Sequence, residues 1–160
     1  MTALAVLINF LYMYFSTNNL KLPFKEFSII FGCLTITLHL CSLKDFVNKK
    51  LLIVGDGPEH SKLNSLIDKH GLGDFITITA SVSKESLIEY YQRASLLIVS
   101  SRREGGPRVA LEALYLHIPV ISTNVGHMSQ ILPQELLAEP DNLDSLKSLI
   151  HNWINRSMSQ

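Results

Sequence analysis

Short apolar runs alternate along most of the chain with segments whose apolar residues recur at helical spacing. The runs are four or five residues long and contain β-branched side chains, which is typical of buried strands. The segments between them repeat apolar residues at three- and four-residue intervals, which predicts amphipathic helices. We expect strands at 27–31, 51–54, 75–79, 96–99 and 118–122, and helices at 59–70, 85–92, 107–116, 128–132 and 143–154.

This alternation predicts the fold class and the place where a ligand would bind. Apolar strands alternating with helices are typical of α/β proteins, so we expect a Rossmann-like parallel sheet with helices on both faces. Two local signals support the helix ends: Gly71 follows the first helix, and Ser83 precedes the second as an N-cap candidate. In such folds ligands bind at the carboxyl ends of the strands, so the loops after the strands are where chemistry is expected.

The N-terminal part of the chain differs from the rest in its low charge. Residues 1–43 contain only three charged side chains, Lys21, Lys25 and Glu26. The apolar run 3–15 is predicted as a helix of about 20 Å, shorter than the roughly 30 Å hydrocarbon core of a membrane. We therefore divide the chain into an apolar helical segment, 1–26, and a Rossmann-like domain, 27–156. The segment could contact another lobe, anchor at a membrane surface, or be a remnant of a longer protein.

Composition excludes several functional classes. Hydrophobic residues make up 47% and charged residues 18% of the 160-residue chain, so it is not a disordered protein. Lysine and arginine number 14, as do aspartate and glutamate, and this balance argues against nucleic-acid binding. Cys33 and Cys41 match no common zinc spacing and are interpreted as reduced thiols, which favours a cytoplasmic location, with membrane association as the alternative. The six histidines are scattered, so no metal site is predicted.

The loop after the 96–99 strand carries the strongest chemical signal. Gly105 and Gly106 allow the backbone to approach a ligand closely, and Pro107 then starts a helix whose free N–H groups favour phosphate oxygens. Glu104 and Glu112 flank this turn, and carboxylates of this kind accept hydrogen bonds from sugar hydroxyls. The pair could also act as acid and base or hold a metal ion. Alternatively, the glycines form only a turn, and Glu112 is a surface ion-pair partner.

The order of these segments resembles a known family. The two glutamates form an E-x7-E pattern within SSRREGGPRVALEALYLHIPVISTNVGH, preceded by LLIVGDGPEHSKL at 51–63 and SVSKESLIEYYQRASLLIVSS at 81–101. Together they resemble the donor half of family 4 glycosyltransferases, the C-terminal lobe of the two-lobed GT-B fold. The resemblance covers about residues 50–149. It implies transfer of a hexose from a nucleotide-sugar with retention of configuration, and with no metal or other cofactor.

The resemblance also implies a role for each matching residue. Glu104 would contact the donor sugar as the catalytic residue, and Glu112 would accept hydrogen bonds from the ribose hydroxyls. The other implied contacts are with the diphosphate and sugar (Gly105, Gly106 and the amides of Arg108 and Val109), the loop after the 51–54 strand (Gly55), and the nucleobase (Ser81 and Val82).

Two departures from the family affect the expected activity. Cys33 and Leu38 occupy the positions where the family has an arginine and a lysine that neutralise the donor diphosphate. Residues 1–48 are also too few for the acceptor-binding lobe. We therefore expect a donor-binding half that transfers a hexose to a glycan or lipid-linked acceptor and is weak or inactive alone. The alternative is a non-catalytic or truncated nucleotide-sugar-binding module that needs a separate acceptor lobe.

Overall fold

Six strands and their connecting helices make up the part of the chain that the structure describes. The structure is a computed structural model, and it describes residues 4–8, 50–54, 60–80, 82–101 and 108–158. The strands are β1 (Leu4–Ile8), β2 (Lys50–Val54), β3 (Ile76–Thr79), β4 (Leu96–Val99), β5 (Val120–Thr123) and β6 (Leu137–Ala138). The helices are α1 (His60–Lys69), α2 (Lys84–Arg93), α3 (Arg108–Tyr115), α4 (Met128–Ile131) and α5 (Leu143–Met158), with a 3-10 helix at Gln134–Leu136.

The strands form one parallel sheet in the order β3-β2-β1-β4-β5-β6. From β1 the chain adds β2 and β3 on one side, then crosses back to add β4, β5 and β6 on the other. The direction of winding therefore reverses between β1 and β4. Because all strands are parallel, their carboxyl ends meet at one edge of the sheet, which we call the carboxyl edge.

The side chains of the central strands divide the core into two layers. Leu96 and Ile98 of β4 pack with Ile67 of α1 and with α5 on one face. Leu97 and Val99 pack on the opposite face with α2, α3 and α4. Successive strand residues point to opposite faces, so a continuous apolar strand is what a sheet covered on both sides requires. The predicted Rossmann-like parallel sheet with helices on both faces is confirmed.

The N-terminal segment contains a strand where a helix was predicted. Leu4–Ile8 pairs with β2, from Leu4 opposite Lys50 to Ile8 opposite Val54, and its other edge pairs with β4. The helix prediction for this stretch is therefore wrong. A short, wholly apolar run has no periodicity that separates a buried helix from a buried strand. Two neighbouring strands satisfy the backbone of Leu4–Ile8 on both sides, and that tertiary pairing decides its conformation.

The remaining predicted elements within the described residues agree with the structure: the 96–99 strand has the predicted ends, and the ends of the others differ by at most four residues. Ser83 caps α2, because its hydroxyl oxygen accepts a hydrogen bond from the Ser86 N–H at 3.2 Å. Gly71 ends α1 with a φ of 65°, and the Leu72 N–H then bonds back to the Ile67 carbonyl at 2.9 Å. Both ends follow the predicted capping chemistry. The predicted 27–31 strand lies outside the described residues.

Membrane contact was one alternative for the N-terminal segment. Within the described ranges, every helix is too short or too polar to cross a bilayer.

Candidate functional site

The loop that carries the predicted site starts at the carboxyl edge, beside the reversal in strand order between β1 and β4. The loop begins at Ser100, directly after β4, and β4 is one of the two strands that flank the reversal. In open α/β sheets this reversal leaves a crevice above the strand ends where ligands bind. The structure therefore puts Ser100 and Ser101, the first two residues of the 100–107 loop, at the position that the fold favours for a ligand.

The structure describes four of the nine predicted site residues. Val82, Arg108, Val109 and Glu112 are described. The other five lie outside the described residues, as do the two positions that depart from the family's cationic pattern: Gly55, Ser81, Glu104, Gly105 and Gly106, and Cys33 and Leu38.

Helix α3 directs its N-terminus to the carboxyl edge, because it follows the loop after β4. Arg108 is exposed and Val109 is 3% exposed against the sheet, so the first turn is anchored on one side and open on the other. The N–H groups of a first helical turn have no acceptor within the helix and carry a partial positive charge. The binding of a diphosphate by the backbone amides of Arg108 and Val109 stays a prediction that this general property of helix ends favours.

Glu112 lies about one turn further along α3, half-buried on the side that faces α2. Its Oε2 atom accepts a hydrogen bond of 3.1 Å from the hydroxyl of Tyr91. Tyr91 lies near the end of α2, away from the carboxyl edge. Because helical side chains lean toward the N-terminus of their helix, its ring reaches back toward that edge.

The Tyr91 hydroxyl is a permanent donor in this contact. The side chain is 2% exposed and packs in the layer with Leu97 and Val99. Burial, the negative charge of Glu112 and the hydrogen bond to that carboxylate raise the pKa of Tyr91 well above its ordinary value. The phenol therefore stays protonated at physiological pH and donates its hydrogen bond to the Glu112 carboxylate.

Two small residues flank Glu112 on the buried side of α3. Ala110 and Ala113 are fully buried, and their small side chains allow α3 to pack closely on the sheet in the same layer as Tyr91. The sequence predicted Tyr91 only as part of the helix at 85–92. Its role as a hydrogen-bond donor was missed, although a buried tyrosine hydroxyl usually finds a partner.

A second polar contact joins the ends of β4 and β5. Thr123 is 7% exposed, and its hydroxyl donates to the carbonyl oxygen of Ser101 and lies 3.5 Å from that of Val99. The adjacent Ser122 is fully buried, and its hydroxyl donates to the Thr123 carbonyl at 2.8 Å. Thr123 thus fixes the start of the 100–107 loop. Its hydrogen bond to Ser101 was not predicted from the sequence, since the partner lies 22 positions away.

Val82 lies at another part of the carboxyl edge. It is half-buried and packs with Tyr90 and Ala94 against Leu52 and Val54 of β2. Its contacts fix the start of the α2 region beside the end of β2. In the described ranges, no group of three or more histidine, cysteine, aspartate or glutamate side chains is arranged to hold a metal ion.

Comparison with known proteins gives a consistent result. A family model described as "Glycosyl transferases group 1" matches residues 36–160. An uncharacterised glycosyltransferase of Methanocaldococcus jannaschii is 32% identical over 123 residues, which are 75% of this chain and 34% of the relative. A phosphatidylinositol N-acetylglucosaminyltransferase polypeptide of Arabidopsis thaliana is 28% identical over 113 residues, 69% of this chain and 25% of the relative.

Solved structures agree on the fold. Sucrose-phosphate synthase from Thermosynechococcus elongatus superposes with a TM-score of 0.68 at 24% identity, over 94% of this chain and 36% of the other. Such neighbours are glycosyltransferases of the GT-B type, and this chain corresponds to a fragment of them. The chain spans about a third or less of the length of the relatives described above.

Proposed function

Because the chain belongs to the group 1 glycosyl transferases, we propose that it is the donor-binding half of an enzyme that transfers a hexose from a nucleotide-sugar. The acceptor would be a glycan or a lipid-linked molecule. The observation that carries the proposal is the position of Glu112, one turn behind the open first turn of α3 at the carboxyl edge. An anion-binding helix end beside a carboxylate suits a molecule that carries both phosphates and vicinal hydroxyls.

The first turn of α3 would bind the diphosphate. In hexose transfer the bond between the anomeric carbon and the phosphate oxygen breaks, and a bond from that carbon to the oxygen of an acceptor hydroxyl forms. The proton of that hydroxyl passes to the leaving phosphate. The leaving nucleoside diphosphate gains negative charge as the first bond breaks. The amides of Arg108 and Val109 are fixed donors that would stabilise this charge without reorganising. Glu112 would hold the ribose hydroxyls and so set the position of the leaving group.

The remaining residues keep the roles that the family resemblance implies. Glu104 would contact the sugar and favour transfer with retention of configuration, assisted by Gly105 and Gly106. Gly55 would shape the loop after β2. Ser81 and Val82 would contact the nucleobase, and the half-buried position of Val82 against β2 is compatible with a flat ligand above it. This assignment corresponds to chemistry of the family 4 type and requires no metal ion.

Transfer would need an acceptor lobe beyond the domain described above. The name of the Arabidopsis relative, which specifies phosphatidylinositol, supports a lipid-linked acceptor. A second candidate function is a binding module without transfer activity. It is favoured by the uncharged residues Cys33 and Leu38, which leave the diphosphate to helix amides and to arginines such as Arg108.

Calorimetry on the 160-residue protein tests the proposal. We expect UDP, GDP or ADP to bind, and Glu112→Ala to weaken that binding by about 1–3 kcal/mol, because a hydrogen bond to a charged acceptor is lost. Glu135→Ala is the matched control. Glu135 is exposed and precedes β6, so it lies at the opposite edge of the sheet.

Two results would overturn the proposal. One is a folded protein that binds none of the three nucleotides at millimolar concentration. The other is equal weakening by the Glu112 and Glu135 substitutions. Nucleotide binding without hexose transfer, measured in the presence of an added acceptor lobe, would favour the binding module over the enzyme.

A further inference from the structure

Tyr91 brings a polar group into a layer that is otherwise apolar. Its neighbours in that layer include Leu97, Val99 and Ala110, and burial of a hydroxyl among such side chains is unfavourable without a partner. The partner is Glu112, 21 positions later and on a different helix. The contact therefore joins α2 to α3 through a single hydrogen bond directed at a predicted ligand-binding carboxylate.

We propose that Tyr91 is a positioning residue of the donor site, which orients the Glu112 carboxylate toward the ribose of the nucleotide-sugar. The proposal rests on the proposed function of Glu112. The Tyr91 hydroxyl uses one acceptor position on Oε2 of Glu112. A carboxylate has about four acceptor positions on its two oxygens, so Glu112 can still accept hydrogen bonds from a diol. Tyr91 itself does not touch the ligand.

The benefit of this contact is a smaller entropic loss on binding. A glutamate side chain has several rotamers, and a ligand that binds it must fix one of them. The buried Tyr91 phenol already bonds one oxygen of Glu112, so fewer Glu112 rotamers are populated before the ligand binds. Because burial and the contact with Glu112 raise the pKa of Tyr91, the phenol remains a donor at neutral pH. We expect removal of the hydroxyl to weaken binding of a ribose-containing ligand by about three- to tenfold.

The test combines a variant with a change in the ligand. Tyr91→Phe keeps the buried ring and removes the hydroxyl. Tyr115→Phe is the matched control, since Tyr115 is on the same helix as Glu112 and is 84% exposed. Each protein is titrated calorimetrically with UDP, GDP or ADP, whichever the wild type binds, and with the 2′,3′-dideoxy form of the same nucleotide.

A positioning role predicts a specific pattern. Tyr91→Phe weakens the ribonucleotide about three- to tenfold and leaves the dideoxynucleotide unchanged, because the latter has no hydroxyls for Glu112 to bind. Tyr115→Phe changes neither affinity. If Tyr91→Phe weakens both ligands equally, Tyr91 only supports the fold and the inference is wrong.

Other outcomes of these experiments distinguish a failure of this inference from a failure of the proposed function. If Glu112→Ala weakens ribonucleotide binding while a folded Tyr91→Phe does not, the inference fails and the proposed function stands. If no nucleotide binds the wild type, both fail. Should Tyr91→Phe not fold, tyrosine labelled with ¹³C at Cζ reports on the wild type instead. The Tyr91 resonance is expected to shift with the ribonucleotide and not with the dideoxynucleotide, and equal shifts overturn the inference.

Discussion

Thr123→Val removes one buried hydroxyl while almost preserving the shape of the side chain. In the wild type this hydroxyl donates to the carbonyl of Ser101, the second residue of the proposed donor-binding loop. The substitution therefore removes one hydrogen bond from the start of that loop and leaves no cavity beside β5. Two effects are expected: a small loss of stability and a loss of nucleotide affinity.

The size of each effect follows from the contact that is lost. A typical intramolecular hydrogen bond contributes about 0.5–1.5 kcal/mol to stability. Ser101 is half-buried, so water can partly replace the missing donor, and we expect a loss of about 1 kcal/mol. A loop that must be ordered by the ligand also binds more weakly. If a few side chains are affected, nucleotide affinity falls by about three- to tenfold.

Ser122→Ala provides the control for this experiment. Ser122 is adjacent and fully buried, and its hydroxyl donates to the Thr123 carbonyl within the same strand, not to the loop after β4. We expect urea unfolding at 25 °C to show a loss of about 1 kcal/mol for both variants, and calorimetry to show weaker nucleotide binding for Thr123→Val only. Equal nucleotide affinities in the two variants, or unchanged stability of Thr123→Val, would refute the reasoning.

Two further predictions concern the backbone and the pH dependence of stability. Gly71→Ala is expected to cost about 1 kcal/mol in urea unfolding because φ is 65° there. Gly73→Ala, where an added Cβ meets no atom within 4 Å, is expected to be neutral or slightly stabilising, and equal losses would contradict this. The raised pKa of Tyr91 means that the folded protein retains a proton that the unfolded chain releases above about pH 10. Its free energy of unfolding should then fall with rising pH by up to about 1.4 kcal/mol per unit, and Tyr91→Phe, unlike Tyr115→Phe, should remove that contribution.

The sequence was most informative where a local signal and the global fold agree. The helical spacing of 59–70 and 85–92, with Gly71 and Ser83 at their ends, predicted α1 and α2 closely because caps act within one turn of the helix they stop or start. Glu112 was singled out by its spacing from the glycine turn and by the E-x7-E pattern, and its role in ligand binding stays a prediction. The roles of Tyr91 and Thr123 were not found, since each depends on a partner more than 20 positions away.

The alternation of apolar strands and amphipathic helices was enough to determine a parallel sheet covered on both faces, because each apolar face needs a layer to bury it. It could not determine the order of the strands, since every parallel pairing satisfies the same pattern. The tertiary structure placed β1 between β2 and β4, and so made Leu4–Ile8 a strand and set the reversal beside the end of β4, where the 100–107 loop begins. The same packing brought the Tyr91 hydroxyl of α2 within hydrogen-bond distance of the Glu112 carboxylate of α3. This contact depends on how the two helices pack on the sheet, and that packing is not encoded in a local sequence pattern.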